Sequence, residues 1–315
     1  MVISCAITHG RAVSKAVAFR YLDGRALTLT SGKSLSALFK IGIAAYFAAQ
    51  KVLASARNLS KTVVSRSKIR FWRELYGDVA SVSAGTSVSW DTKLSIDGVS
   101  SLKIGSNCTL RNCDISIGGG SSVEIHDGVE LHNVSIFAAD SAVVKIANDC
   151  HFNSFSSTNK TSIRVVGGKA SWGSWVMCDA GRISVGSTAV FSMGDYSGIG
   201  ENSEIRAEAM VDIGAYTMIA YNVTIFDTNT HSVSAEDRRR EVECYWRKPV
   251  VRGEVLRQPV TIGSDCWIGQ GAAILKGVTI GSSCVVGMQT VVGSGMYPEK
   301  TTIVSAKARH VAQQQ

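Results

Sequence analysis

Near the C-terminal end of this chain, six aliphatic residues recur at every sixth position, and glycine directly follows five of them. The six are Ile262, Ile268, Ile274, Ile280, Val286 and Val292. An α-helix repeats a face every 3.6 residues and a strand every two, so neither explains a period of six. A short fixed period is typical of a solenoid, in which each repeat buries its apolar residue by stacking on its neighbours. The pattern predicts three-sided coils of about 18 residues.

The six-residue spacing also occurs imperfectly from about residue 80, and its register shifts between blocks. We therefore predict a mainly β solenoid over 79–297, with coils of variable length, and a tail over 298–315. The period stops after Ile225 and resumes at Val260, which predicts an excursion over 227–258. Long insertions in repeat proteins form loops, and functional loops lie on rigid scaffolds. We expect the functional side chains in this excursion.

The N-terminal segment, 1–78, differs from the rest in charge. Residues 1–75 hold 13 Lys and Arg against 2 Asp and Glu, whereas the remainder holds 20 and 23. A lysine stripe at helical spacing predicts an amphipathic helix over 33–64. Two interpretations stay open: this helix packs against the solenoid end, or it lies on an anionic membrane surface. No recognisable nucleic-acid-binding module accompanies the basic residues, so nucleic acid is not an expected partner.

Charge and cysteine usage both favour a reducing compartment. Charged residues interrupt the first 30 positions, so we predict no secretory signal and a cytoplasmic protein, with peripheral contact at the inner face of the membrane as an option. The cysteines form no CxxC pair. Four of them follow an aliphatic residue by four positions, a slot that small residues fill elsewhere, so we expect them to be buried. These four are Cys108, Cys150, Cys266 and Cys284.

The residues on both sides of the excursion resemble the hexapeptide-repeat acyltransferases. The matching stretches are 219–225, His231, 259–269 with its Trp-Ile-Gly, and the repeats up to Gly293. The resemblance is good over 180–297, extends in general texture over 96–180, and is greatest to the sugar O-acetyltransferase branch. It implies a left-handed parallel β-helix, a homotrimer, and acetyl-CoA in the groove between two subunits, with no metal. It also implies a saccharide acceptor, in surface polysaccharide or glycolipid assembly.

The same resemblance implies that His231 is the catalytic histidine. Imidazole suits the removal of a proton from a sugar hydroxyl, which would then attack the acetyl thioester directly. Asp227 and Asn229 precede His231, and either could hold the imidazole tautomer; we prefer Asp227. Asn229 and Trp267 are expected near the acceptor. The excursion is rich in arginine, which fits either an anionic acceptor or a surface loop held by ion pairs.

Matching to the family places Gln270, Met288 and Gly293 along the pantetheine arm of CoA. Lys307 and Arg309 are the candidates for its 3′-phosphate. Here the sequence departs from the family, because a Gly-Asn-Pro-Ala-Lys-like ending is replaced by Val-Ser-Ala-Lys-Ala-Arg at 304–309.

The sequence leaves two alternatives to an acetyl-CoA-dependent O-acetyltransferase. A β-helix scaffold without activity would explain the repeats, but it leaves the histidine excursion unexplained. A γ-carbonic-anhydrase-like protein needs three histidines on one zinc ion. His132 and His151 are 19 positions apart, near one coil, and with His126 they are the candidates.

Overall fold

The computed structural model describes residues 65–153, 160–245 and 254–305, and two short strands nearer the N-terminus. These two, β1 (Val17–Arg20) and β2 (Ala26–Leu29), pair antiparallel within a separate unit of residues 1–61. The helix predicted over 33–64 lies outside the described residues, as do Lys307 and Arg309.

From residue 80 the chain winds round three parallel sheets in fixed rotation, because each strand pairs with the strand three places further on. The sheets are the three faces of a β-solenoid of about ten turns, as the six-residue period predicts. Face 1 contains β3 (Ala80–Val82), β6 (Ser101–Ile104), β9 (Ser122–Ile125), β12 (Val143–Ile146), β15 (Lys169–Trp172), β18 (Val190–Met193), β21 (Met210–Ile213), β24 (Val260–Ile262), β27 (Val278–Ile280) and β30 (Gly295–Tyr297).

Faces 2 and 3 follow in each turn. Face 2 contains β4 (Ser87–Val88), β7 (Thr109–Arg111), β10 (Glu130–His132), β13 (His151–Phe152), β16 (Met177–Cys178), β19 (Gly198–Ile199), β22 (Met218–Ile219), β25 (Trp267–Ile268), β28 (Val285–Val286) and β31 (Thr302–Ile303). Face 3 contains β5 (Lys93–Ile96), β8 (Asp114–Ile117), β11 (Val134–Ala139), β14 (Thr161–Val166), β17 (Arg182–Val185), β20 (Glu204–Ala207), β23 (Thr224–Phe226), β26 (Ala273–Ile274) and β29 (Val291–Val292). We call the corners between faces the 1–2, 2–3 and 3–1 corners.

The interior is a stack of aliphatic side chains. All six residues of the periodic pattern are at most 1% exposed. They lie directly above one another from coil to coil, as Ile262 does on Ile280. The four cysteines predicted to be buried are also at most 2% exposed. Burial raises the pKa of the Cys266 thiol, as expected for a small apolar residue in a packing position.

Coil length changes along the solenoid. Near the C-terminal end Ile262 pairs with Ile280, which is one 18-residue turn. Further toward the N-terminus Ser101 pairs with Ser122, a turn of 21 residues. The wider part of the solenoid accommodates larger side chains: the rings of Phe152, Trp172 and Phe191 pack edge to face, with centroids 5.6 and 5.2 Å apart. The six-residue period is therefore clear only where each turn has 18 residues.

Close approach at the corners explains three of the five glycines that follow an aliphatic residue, namely Gly263, Gly269 and Gly281. A Cβ on Gly263 would lie 2.6 Å from the backbone nitrogen of Ser282 in the next coil. A Cβ on Gly281 would lie 2.5 Å from the backbone nitrogen of Glu299. Real Cβ atoms are not found so close to backbone, so only glycine fits without displacing the next coil.

Helix α1, described over 65–76, and a 3₁₀ turn (Gly77–Val79) cover the N-terminal end of the solenoid. Trp72 of α1 is 2% exposed and joins the solenoid core. The Ser65 hydroxyl accepts a hydrogen bond from the backbone N–H of Val88 at 2.8 Å, and Tyr76 donates to the Leu94 carbonyl at 2.7 Å. The first coil therefore does not expose its apolar end.

At the other end, β31 (Thr302–Ile303) pairs with β28, so paired strands continue beyond residue 297. In the part of the chain that the structure describes, no helix combines the length and the apolar character needed to span a membrane.

We predict that Gly263→Ala lowers the free energy of unfolding by about 1–3 kcal/mol, because the new methyl group must push the next coil aside. Gly98→Ala is the matched control, since a Cβ there would meet nothing within 4 Å; we expect a change within about 0.5 kcal/mol. Urea unfolding of both variants measures the difference. Equal stability of the two would contradict the close-approach explanation.

Candidate active site

The excursion leaves the solenoid at the 3–1 corner, after β23, and its two ends are tied together. The backbone N–H of Gln258 donates to the Asp227 carbonyl at 2.9 Å, and that of Asn229 donates to the Leu256 carbonyl at 3.0 Å. Between these bonds Thr228 and Arg257 form an antiparallel bridge. The segment that carries His231 therefore starts from a fixed point on the solenoid.

Asp227 anchors the start of the excursion to the preceding coil. Its side chain is fully buried. Its carboxylate accepts hydrogen bonds from the backbone N–H groups of Glu208, at 2.8 and 3.0 Å, and Ala209, at 2.7 Å. Burial raises the pKa of Asp227, an effect that these backbone bonds oppose. The prediction that Asp227 orients the histidine was wrong, because its carboxylate oxygens accept hydrogen bonds from backbone N–H groups of the preceding coil.

Helix α2 (Ala235–Tyr245) lies within the excursion and begins at a capping serine. The backbone N–H of Asp237 donates to the Ser234 hydroxyl at 3.4 Å. The Asp237 carboxylate in turn accepts from the Ser232 hydroxyl at 3.0 Å. Arg238 donates to the carbonyls of Ser232 and Val233, at 2.9 and 2.8 Å. The residues that follow His231 are thus bound to the first turns of α2.

The partner of His231 is Glu241, which sequence reasoning missed. The Nδ1 atom of His231 lies 2.9 Å from Glu241 Oε2. The Glu241 side chain is 4% exposed and the His231 side chain 53%, so a covered carboxylate supports a ring open to solvent. Glu241 lies one helical turn after Asp237, and residues four apart share a face of a helix. This spacing, behind a capping serine, is the signal that could have identified it.

The pair is arranged for proton transfer. A carboxylate oxygen only accepts hydrogen bonds, so Nδ1 of His231 carries the hydrogen, and in the neutral imidazole Nε2 then has the free lone pair. A buried carboxylate on Nδ1 fixes the ring and stabilises the imidazolium that forms when Nε2 takes a proton. His231 and Glu241 can therefore act together as a general base.

The other residues predicted for the site lie on different parts of the surface. Asn229 is half-buried at the base of the excursion. Trp267 is 55% exposed on face 2. Gln270 and Met288 occupy consecutive coils at the 2–3 corner, where the Gln270 carbonyl accepts from the backbone N–H of Gln289 at 2.8 Å. Gly293 lies at the 3–1 corner, two coils beyond the excursion.

The three histidines considered for a zinc site lie near face 2. Glu130 Oε2 is 3.8 Å from Nε2 of His132 and 3.5 Å from Nδ1 of His151. Burial lowers the pKa of His132. Across the described ranges, no group of three or more His, Cys, Asp and Glu side chains is arranged to hold a metal ion.

Asp227→Asn tests the structural role of this buried carboxylate. An amide has one acceptor oxygen, and its NH₂ group would face backbone donors, so we expect a loss of about 1–3 kcal/mol in unfolding free energy. Amide hydrogen exchange at Glu208 and Ala209 should become faster. Glu236→Gln is the control, because that carboxylate is on the exposed face of α2. Unchanged exchange at both amides would show that Asp227 does not anchor the excursion to the preceding coil.

Comparison with known proteins identifies the repeat. The family model described as bacterial transferase hexapeptide (six repeats) matches residues 259–294. No curated protein matches the chain.

Among solved structures, the polySia-specific acetyltransferase NeuO is 17% identical, with 74% of this chain and 85% of that chain covered and a TM-score of 0.43. The hexapeptide-repeat acetyltransferase VCA0836 from Vibrio cholerae is 28% identical over 39% of this chain and 61% of its own, with a TM-score of 0.31. A mutant of AntD, an N-acyltransferase from Bacillus cereus, is 17% identical over 55% and 84%, with a TM-score of 0.39. The chain is thus a β-solenoid that carries the hexapeptide repeats of the bacterial transferases.

Proposed function

We propose that this protein is an acyltransferase and, more specifically, that it transfers an acetyl group from acetyl-CoA to a saccharide hydroxyl. The observation that carries this proposal is the His231–Glu241 pair, set on a fixed excursion directly before the hexapeptide repeats of 259–294. A scaffold protein has no need of a covered carboxylate behind an exposed imidazole. The donor and the acceptor class follow from the family resemblance of the sequence.

The reaction needs one general base, and the acetyl group is never covalently attached to the enzyme. Nε2 of His231 takes the proton of the acceptor hydroxyl while that oxygen attacks the thioester carbonyl carbon. The tetrahedral intermediate collapses with cleavage of the C–S bond, and the CoA thiolate leaves and receives the proton. The Glu241 carboxylate stabilises the imidazolium between these two steps. The products are an acetyl ester and CoA.

The topology favours a site shared between copies of the chain. The excursion stands at the 3–1 corner, and in a three-sided solenoid that corner is opposite face 2. Trp267 is on face 2, and Gln270 and Met288 are at the 2–3 corner. A ligand that touches both His231 and these residues must therefore lie between two subunits. We propose a homotrimer, in which each excursion reaches the coils of its neighbour.

The setting of the reaction is also a proposal. A cytoplasmic enzyme would reach acetyl-CoA directly, and the basic segment 1–75 would bring it to the anionic inner face of a membrane. This position suits the assembly of a surface polysaccharide or glycolipid.

The first test is CoA release from acetyl-CoA with a panel of saccharides, for the native chain, His231→Ala and Glu241→Gln. We expect His231→Ala to lose about 10²–10⁴-fold in kcat. Glu241→Gln should lower kcat by about tenfold or more and leave the KM for acetyl-CoA unchanged. Glu236→Gln, on the same helix, is the matched control and should keep native kinetics. Acceptor-dependent release that survives in His231→Ala would refute the role of the histidine.

A mixing experiment tests the shared site. His231→Ala and Trp267→Ala chains are each expected to be poorly active alone. If one copy supplies the excursion and its neighbour supplies face 2, mixed oligomers restore activity at about a quarter of the interfaces. Sedimentation of the mixture verifies that subunits have exchanged. Activity that does not recover after verified exchange would show that each chain contains a complete site.

A further inference from the structure

A row of outward-facing residues on face 2 is interrupted by a glycine. Met177, Gly198, Met218 and Trp267 are paired in sequence on adjacent strands. The side chains of Met177 and Met218 are exposed. Because Gly198 has none, a notch one side chain wide opens between them, where the two flanking strands are ~10 Å apart. A Cβ on Gly198 would meet only the Met177 carbonyl, at 3.9 Å, so the space is not filled by other atoms.

One wall of the notch is a stack of aromatic rings at the 1–2 corner. The rings of Trp175 and Tyr196 lie 6.2 Å apart and are 2° from parallel. Tyr216 continues the stack, 5.1 Å from Tyr196 and 6° from parallel. All three side chains are about half exposed, at 51%, 51% and 57%.

These three aromatics occupy a backbone position that disfavours them. Their φ angles are 62°, 56° and 56°, in the left-handed region, where bulky residues are uncommon and cost conformational energy. The same corner position in the other coils holds Gly, Asn, Asp, Ser or Lys. Those residues are Gly85, Asn107, Gly128, Asp149, Asp265, Ser283 and Lys300. Since the corner can be built without aromatic residues, three in succession indicate a use on the surface.

The rest of the lining shows which ligand fits. Asp179 and Glu201 line the notch on the side of the 2–3 corner, with Tyr221 beside them, and Trp267 closes one end. No lysine or arginine is among the described residues that line it. Two acidic residues without a basic one disfavour an anionic ligand. A pyranose ring has C–H faces that pack on aromatic rings and hydroxyl groups at its edge that donate to carboxylates.

We propose that this notch binds an uncharged pyranose unit of the acceptor saccharide. This inference rests on the proposed function, and it deepens it by naming the acceptor as neutral. In the excursion, two of the arginines are already engaged: Arg240 pairs with Glu236 and Asp237, and Arg238 donates to backbone carbonyls. Trp267, proposed to meet the acceptor, connects the notch to the shared site.

Gly198→Met tests the notch, because it completes the row on face 2 and fills the gap. Binding is measured without acetyl-CoA, by the change in tryptophan fluorescence on adding maltotetraose, cellotetraose, a β-linked galactotetraose or a sialic acid tetramer. We expect at least one neutral tetrasaccharide to bind the native chain and the sialic acid tetramer not to bind. Gly198→Met should weaken the binding about tenfold or more. Gly98→Met, in open space on another part of the solenoid, is the matched control.

Kinetics separate this inference from the proposed function. In Gly198→Met we expect the KM of the bound tetrasaccharide to rise about tenfold or more, with the KM for acetyl-CoA unchanged. His231→Ala should lose transfer and keep tetrasaccharide binding. If no saccharide accepts an acetyl group but Gly198→Met still abolishes binding, the proposed function fails while the binding site stands.

Four results would overturn the inference. The first is native tetrasaccharide affinity in Gly198→Met. The second is no binding of any neutral tetrasaccharide to the native chain. The third is selective binding of the sialic acid tetramer. The fourth is a smaller oligomer for Gly198→Met in sedimentation, with Gly98→Met unchanged, because the notch would then be a contact between copies of the chain.

Discussion

The backbone hydrogen bonds between successive coils are the constraint on which the rest of the structure depends. They hold each strand about 4.8 Å from the next, and this spacing is set by the peptide groups. Inside, it brings each aliphatic side chain onto the one below, as Ile268 lies on Val286. At the corners it leaves no space for a Cβ at Gly263 or Gly281. The same spacing between coils therefore accounts for both the buried aliphatic residue and the glycine that follows it at these corners.

The excursion carries the candidate base because it is anchored in this frame at both ends. Asp227 accepts three hydrogen bonds from backbone N–H groups of the preceding coil, and its carbonyl binds the returning chain at Gln258. The excursion needs no large core of its own, because both of its ends are hydrogen-bonded to the rigid solenoid. The His231–Glu241 pair can then be positioned by a single short helix. A carboxylate that anchors the loop and another that supports the imidazole have separate roles, set by their separate surroundings.

The solenoid from 259 to 294 could be predicted from the sequence, because an aliphatic interior and 18-residue turns make the period visible. The coils before residue 180 could not be placed, because their turns are longer than 18 residues, as between Ser101 and Ser122, and the six-residue register is lost. His231 was found from its context. Glu241 was not, because the sequence does not show which face of α2 lies toward His231 until Ser234 is recognised as its cap and Asp237 is placed on that face. Proximity in sequence favoured Asp227, whereas the fold uses that carboxylate for backbone donors.

Positions with strict backbone requirements are where a departure in residue type carries most information. At the 1–2 corner a left-handed residue is needed in every coil, and Gly, Asn and Asp meet that need at low cost. Trp175, Tyr196 and Tyr216 meet it at a higher cost in adjacent coils, beside the one rung where Gly198 removes a side chain from face 2. Ring stacking recovers part of that cost but does not explain why the aromatic residues are there, since the neighbouring coils close the same corner without them. The coincidence of costly aromatics, an empty rung and acidic lining in one place is what distinguishes a binding surface from an ordinary corner of the solenoid.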